Sequence, residues 1–249
     1  MRGMGTILNT LLVALGGLIG LRLRAGLPEK LQGTLMHACG ISSMFIGLGG
    51  TLAKMLRVGE DGGLSTRGTL LLVLSLALGG AIGELLDLEG GMNTLGERLK
   101  SALKAQGDSR FVEGFVNVSL IVCVGAMAIV GSIEDGISGD FSMLAAKSVL
   151  DMIIAMVFAS TYGLGAVCAA LAVLLYQGSI TLLAMFFGSF ASANVIEVLS
   201  FVGNSLIFCV GVNIAFGQRF RVANFLPALV VAVVLELGLG AFGIRLMAI

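Results

Sequence analysis

Eight stretches of this sequence stay apolar for about twenty residues at a time, and that recurrence constrains the fold more than any single motif. They fall at about residues 5–21, 34–53, 68–86, 111–132, 143–161, 163–187, 197–217 and 223–244. A helix needs about 20 apolar residues to cross a ~30 Å hydrocarbon core. A transmembrane barrel would need short alternating segments, and none is written here. With 57% hydrophobic and 12% charged residues, the composition is not that of a soluble globular protein. The expectation is an all-α polytopic membrane protein of about 7–8 transmembrane helices, a single integral membrane domain over residues 1–249 whose immediate partner is the lipid bilayer.

Fifteen basic and fifteen acidic residues balance, so no charge asymmetry points to nucleic acid. Thirty-seven glycines against two prolines argue for close helix packing, because glycine lets backbones approach. Gly16/Gly20 and Gly79/Gly83 have the small-xxx-small spacing. Cys39, Cys123, Cys168 and Cys209 all lie in apolar segments without a CxxC pair and read as reduced packing residues. The N-terminal run is followed by Arg22 and Arg24, which marks a retained first helix better than a cleaved leader. Lys and Arg cluster in three connections, LRLRAGLPEKLQG, DLEGGMNTLGERLKSALKAQGDSR and GQRFRVAN. The positive-inside rule puts these in the cytoplasm and both termini outside.

No other stretch is at once so charged and so hemmed in by apolar segments as SIEDGISGDFSMLAAKSVLD, residues 132–151. An ionised side chain at the bilayer centre costs at least ~2.5 kcal/mol, so such groups are paired, cavity-facing or functional. Lys147 and Asp151 are spaced i, i+4 and share one helical face. If the helix starts near Ser142 or Met143, Asp151 lies roughly 12 Å along it at ~1.5 Å per residue. Glu134, Asp135 and Asp140 with their glycines have the look of a tight acidic turn. It is either a solvated loop whose Asp140 or Ser142 caps the next helix, or a vestibule whose oxygens suit hard cations such as Mg²⁺, Ca²⁺ or Mn²⁺.

Other polar residues sit inside apolar runs. Asn117, Gln177, Asn204 and Asn213 serve either as interhelical hydrogen-bond partners or as the lining of a polar path. Glu236 is flanked by apolar residues in PALVVAVVLELGLGAFG, as a neutral structural carboxyl or a proton-binding one. Tyr176-Gln177-Gly178-Ser179 interrupts the sixth run, which is then either one long tilted helix or two half-helices whose unwound backbone lines a cavity. His37 is the single histidine and makes a poor metal site. No GxSxG, P-loop or dinucleotide fingerprint occurs in a suitable context, so the chain reads as non-enzymatic and without a cofactor.

The chain also repeats itself. GTILNTLLVALGGLIG (residues 5–20) aligns without gaps on GTLLLVLSLALGGAIG (68–83). SLIVCVG (119–125) matches SLIFCVG (205–211), each preceded by an Asn, so that 117–131 pairs with 203–217. Repeats of this kind build many transporters, with sites near the bilayer midplane.

SIEDGISGDFSMLAAKSVLD, FASTYGLGAV, YQGSITLLA, RVANFLPAL and the opening GTILNTLLVALGGLIG together resemble one bacterial family, domain of unknown function 554, the YqgA-like and YdfK-like membrane proteins. The motifs occur in the family's order over essentially the whole chain. The resemblance implies a bacterial plasma (inner) membrane protein and implies no activity. From the residues, the first expectation is a transporter or channel-like protein for a small solute or ion, its path near residues 132–151 with Asn117, Glu134, Asp135, Asp140, Lys147, Asp151, Gln177, Asn204, Asn213 and Glu236. The alternative is a membrane scaffold or assembly protein whose glycine faces support oligomerisation, including with its own copies, and whose polar residues are interhelical contacts.

Overall fold

The computed structural model describes residues 2–23, 27–59, 62–91, 94, 109–123, 126–187, 193–240 and 242–247. It is almost wholly helical: α1 (Met4–Arg22), α2 (Glu29–Met55), α3 (Thr69–Leu86), α4 (Ser109–Cys123), α5 (Ala126–Ser138), α6 (Ser142–Tyr162), α7 (Leu164–Phe187), α8 (Ala193–Phe216) and α9 (Pro227–Gly240). A short antiparallel hairpin, β1 (Leu56–Val58) and β2 (Leu64–Thr66), joins α2 to α3 with Arg57 opposite Ser65. A 3₁₀ turn at Val222–Phe225 leads into α9, whose first residue is Pro227, the one helical position where proline's missing N–H costs nothing.

These helices are packed inside out relative to a soluble bundle. On α1 the large apolar residues Ile7, Leu11, Leu15 and Leu18 are exposed, while Gly5, Thr6, Asn9, Gly16, Gly17 and Gly20 are buried. A lipid-bathed helix gains nothing from hiding leucine, so small and polar residues take the interior.

The described residues form two compact units, Met1–Cys39 with Gly91–Phe190, and Gly40–Gly90 with Ala191–Ile249. In the first unit α1 and α6 run side by side in backbone contact. A Cβ at Gly16 or Gly20 would collide with the carbonyl oxygens of Met152 and Met156. A core of Val13, Val118, Val122, Ile154, Ala155, Ala159, Ala166, Ala169 and Val173 joins α1, α4, α6 and α7. Gly163, at φ 80°, makes the turn that reverses the chain from α6 into α7; a residue with a Cβ would be strained there. In the second unit the other copy of the glycine pattern does similar work. A Cβ at Gly79 would meet the Ala228 backbone, and one at Gly83 the Asn224 carbonyl.

The broken span lies elsewhere than Tyr176–Ser179. α7 is one unbroken helix through those residues, and the fourth span is the one that bends, by 56° between α4 and α5. The pair follows α7 nearly end to end. Phe111 stands against Gly165, and a Cβ at Gly136 would lie 2.6 Å from Ala184 Cβ and 2.7 Å from the Thr181 carbonyl oxygen. At about 1.5 Å per residue α7 is roughly 36 Å long, so the bent pair beside it has the length of one broken span. Seven single helices among the described residues are long and apolar enough to cross a membrane, and counting the bent pair as one span makes eight.

Three further expectations change. The acidic turn is shorter than its sequence implies: Glu134, Asp135 and Gly136 are the last turns of α5, and only Gly139–Phe141 separate it from α6. α2 starts at Glu29, a turn before the apolar run. The last helix ends at Gly240, and beyond it Leu246 and Met247 are buried again. Arg24, Arg98, Lys100, Lys104 and the end of the SLIVCVG repeat, Val124 and Gly125, lie outside the described residues.

Candidate functional site

The first unit holds a chain of buried polar side chains at the bend of its broken span. Lys147 and Asp151 face inward from α6, each 4% exposed. They lie roughly 7 and 13 Å from the start of that helix, so Asp151 is close to its middle. Lys147 Nζ donates to Asp151 Oδ2, the i, i+4 pair anticipated from spacing. It also donates to the Val122 carbonyl oxygen at 2.9 Å. Val122 belongs to the last turn of α4, whose carbonyls have no partner within the helix and carry the negative end of its dipole. The ammonium therefore bridges a carboxylate and a helix C-terminus.

Two further helices close the cluster. From α1, Asn9 Nδ2 donates to Asp151 Oδ2 and to Gln177 Oε1, both at 2.9 Å. From α7, Gln177 Nε2 donates to Thr6 Oγ1 at 3.2 Å, and Thr6 and Thr181 share a hydroxyl–hydroxyl bond of 2.8 Å. Asn9 is fully buried, and its Oδ1 accepts no hydrogen bond from the described residues. The pair is neutral overall, which is what allows it to sit in hydrocarbon. Chemically the cluster offers one carboxylate, one ammonium and a set of amide and carbonyl oxygens, a constellation suited to holding and exchanging a proton or a cation. Among the described residues no three His, Cys, Asp or Glu side chains are grouped as metal ligands.

Residues 4–237 match the family described as "Protein of unknown function (DUF554)". This chain belongs to that family. The DUF554 chain is 31% identical over 241 residues to the "Uncharacterized membrane protein YdfK" of Bacillus subtilis (strain 168), covering 97% of this chain and 99% of that one. It is 29% identical over 236 residues to the "Uncharacterized protein YqgA" of Escherichia coli (strain K12), covering 93% and 95%. No solved structure matches it. It is a multi-pass membrane protein.

The other residues singled out from the DUF554 sequence fall into separate places. Asp135 is fully buried on α5, and its two oxygens accept the Gly3 and Gly5 amides at 3.0 Å each. It caps the N-terminus of α1 from 130 residues away. Glu134 is half-buried beside it, and Asn117 is half-buried on α4, five residues before Val122. Asp140 is exposed, and its Oδ1 accepts the Ser142 amide at 3.0 Å, a local turn ahead of α6.

Asn204, Asn213 and Glu236 belong to the second unit. Asn204 Nδ2 bonds the Ser200 carbonyl at 2.7 Å, and its side chain fills the space against Gly50. Asn213 clamps the turn after α8, accepting the Arg219 and Phe220 amides and donating to the Phe220 carbonyl. Glu236 is buried and takes the Met247 amide at 2.9 Å. It lines a cavity of about 100 Å³ with Arg67, Asn194, Glu197, Arg245 and Met247, in which Arg67 pairs with Glu197 at 2.7 Å. None of the four cysteines forms a disulfide, and His37 is exposed on α2.

Asn9, Thr6 and Thr181 were not singled out from the sequence. The repeat carried the signal for Asn9. In the gap-free alignment of residues 5–20 on 68–83 it stands opposite Leu72, a polar residue where the other copy is apolar.

Proposed function

We propose that this DUF554 protein carries a small solute or ion across the bacterial inner membrane, with the Lys147–Asp151 cluster of the first unit as its binding site. The observation that carries the proposal is Lys147 Nζ seated between Asp151 and the Val122 carbonyl at the bend of a broken span. Discontinuous helices whose ends face a buried charge are how many secondary transporters hold coupling ions, and intramembrane ionisable residues point to function by default. Gln177, Asn9, Thr6 and Thr181 extend the polar track along α1 and α7. In this reading the protein is not an enzyme, needs no cofactor, binds no nucleic acid, and has the bilayer and its solute as partners. Flux of monovalent cations, divalent cations and protons into proteoliposomes, compared with empty vesicles and with Asp151→Asn, tests it.

A second reading has its own support. Lys147 and Asp151 are paired and nearly dry, and α1 meets α6 backbone to backbone at Gly16 and Gly20. A membrane scaffold or assembly protein, alone or as a homo-oligomer, would use those features for rigidity. It predicts no flux, and a Lys147→Met/Asp151→Asn double variant that assembles as the natural protein does.

A further inference from the structure

Building on the transport reading, we propose that the Lys147 ammonium is the resident cation of a one-cation site, which an alkali-metal ion enters in exchange for the lysine's proton. Four observations combine. The buried charges that face one another are one ammonium and one carboxylate. Asp135, the other fully buried carboxylate described in this unit, is engaged by the Gly3 and Gly5 amides. Lys147 Nζ meets two oxygens, Asp151 Oδ2 and the Val122 carbonyl, while Asn9 Nδ2 links Asp151 Oδ2 to Gln177 Oε1, and oxygen donors select hard cations. Asn9 Oδ1, fully buried, takes no hydrogen bond from the described residues, so the cluster has acceptor capacity beyond what Lys147 uses.

The exchange balances. A monovalent ion M⁺ bonds to the Asp151 carboxylate and the neighbouring amide and carbonyl oxygens. One N–H bond of the Lys147 ammonium breaks, the electron pair stays on Nζ, and the proton passes to water. The site is neutral before, with ammonium and carboxylate, and neutral after, with M⁺, carboxylate and amine. A divalent ion at this single carboxylate would leave a net positive charge in a dry interior, which is costly. Monovalent ions and one-for-one exchange follow from that count. Among the described residues the titratable side chains that feel the Asp151 charge from neighbouring helices are Cys39 on α2 and Cys123 on α4. Neither brings a second carboxylate.

The test uses the purified full-length protein in detergent, in weak buffer with a pH-sensitive dye. Addition of LiCl, NaCl or KCl is compared with choline chloride. At least one alkali salt is expected to release about one proton per chain, saturably, as cation binding displaces a proton. Lys147→Arg keeps the charge, but a guanidinium does not give up its proton; release is expected to vanish in it. In Lys147→Met the same salt is expected to raise the unfolding midpoint by several degrees, an effect lost when Asp151→Asn is added. Release that persists in Lys147→Arg, or no difference between alkali and choline salts, overturns the proposal. Flux in proteoliposomes without alkali-specific proton release would leave transport standing and remove this inference. Release without flux would leave the site standing and remove transport.

Discussion

Lys147 reaches past Asp151: from one turn earlier on α6, its Nζ also donates to the carbonyl of Val122 at 2.9 Å, tying the ion pair to the bend of a different span. The two charges and the break are one structure, and changes to any member are expected to be felt by the others.

Removing one charge should cost far more than removing both. Lys147→Met leaves a buried carboxylate without its counter-ion, a loss of about 3–5 kcal/mol for a pair of this kind. The double variant Lys147→Met/Asp151→Asn should recover most of it. Unfolding midpoints of the two single variants and the double, read as a cycle, measure the coupling. Additive losses would contradict the pairing.

Asp135 should behave as a helix cap and nothing more. Asp135→Ala orphans the Gly3 and Gly5 amides and is expected to cost about 2 kcal/mol, with faster hydrogen exchange at the start of α1. Asp135→Asn keeps an acceptor and should lose less. Unchanged exchange in the alanine variant would show that α1 does not depend on this contact.

Glycines should divide into two sharply different classes. Gly16→Ala places a methyl group against the Met152 carbonyl and is expected to prevent α1 from seating on α6, giving little folded protein. Gly49→Ala, on α2 with nothing within 4 Å of its Cβ position, should be stabilising by about 0.5–1 kcal/mol. Comparable yields from the two variants in a detergent-extraction and size-exclusion comparison would contradict the close packing.

Glu236 should hold the C-terminal segment. Glu236→Gln keeps an acceptor for the Met247 amide and is expected to be tolerated. Glu236→Leu removes it, and limited proteolysis should then cleave beyond Gly240 at least several times faster. Equal cleavage of both variants would mean that Leu246 and Met247 are held by packing alone.

The spans, the Lys147–Asp151 spacing and the Gly16/Gly20 and Gly79/Gly83 contacts were legible in the sequence, because each depends on periodicity within one helix. Gln177 was legible as an intramembrane polar residue, but not its effect on α7. Tyr176–Ser179 leave that helix intact because a backbone in hydrocarbon keeps its own hydrogen bonds when the polar side chains find partners. The bend after Cys123 falls in a run that stays apolar over residues 111–132 without a proline, so composition did not mark it. Asp135 and Asn9 took their meaning from helices more than a hundred residues away. Asn9 in particular is an ordinary polar residue until α1, α6 and α7 converge on it.

The measurement that bears most directly on the account is alkali-cation flux coupled to internal pH in proteoliposomes holding the full-length protein. Natural protein is compared with Asp151→Asn, with the charge-free Lys147→Met/Asp151→Asn double variant as a folded control. Saturable cation-for-proton exchange in the natural protein, absent from both variants, is the predicted result. A flux that survives Asp151→Asn in correctly folded protein, or none above empty vesicles for any cation or proton, would contradict the assignment of the Lys147–Asp151 cluster as a transport site.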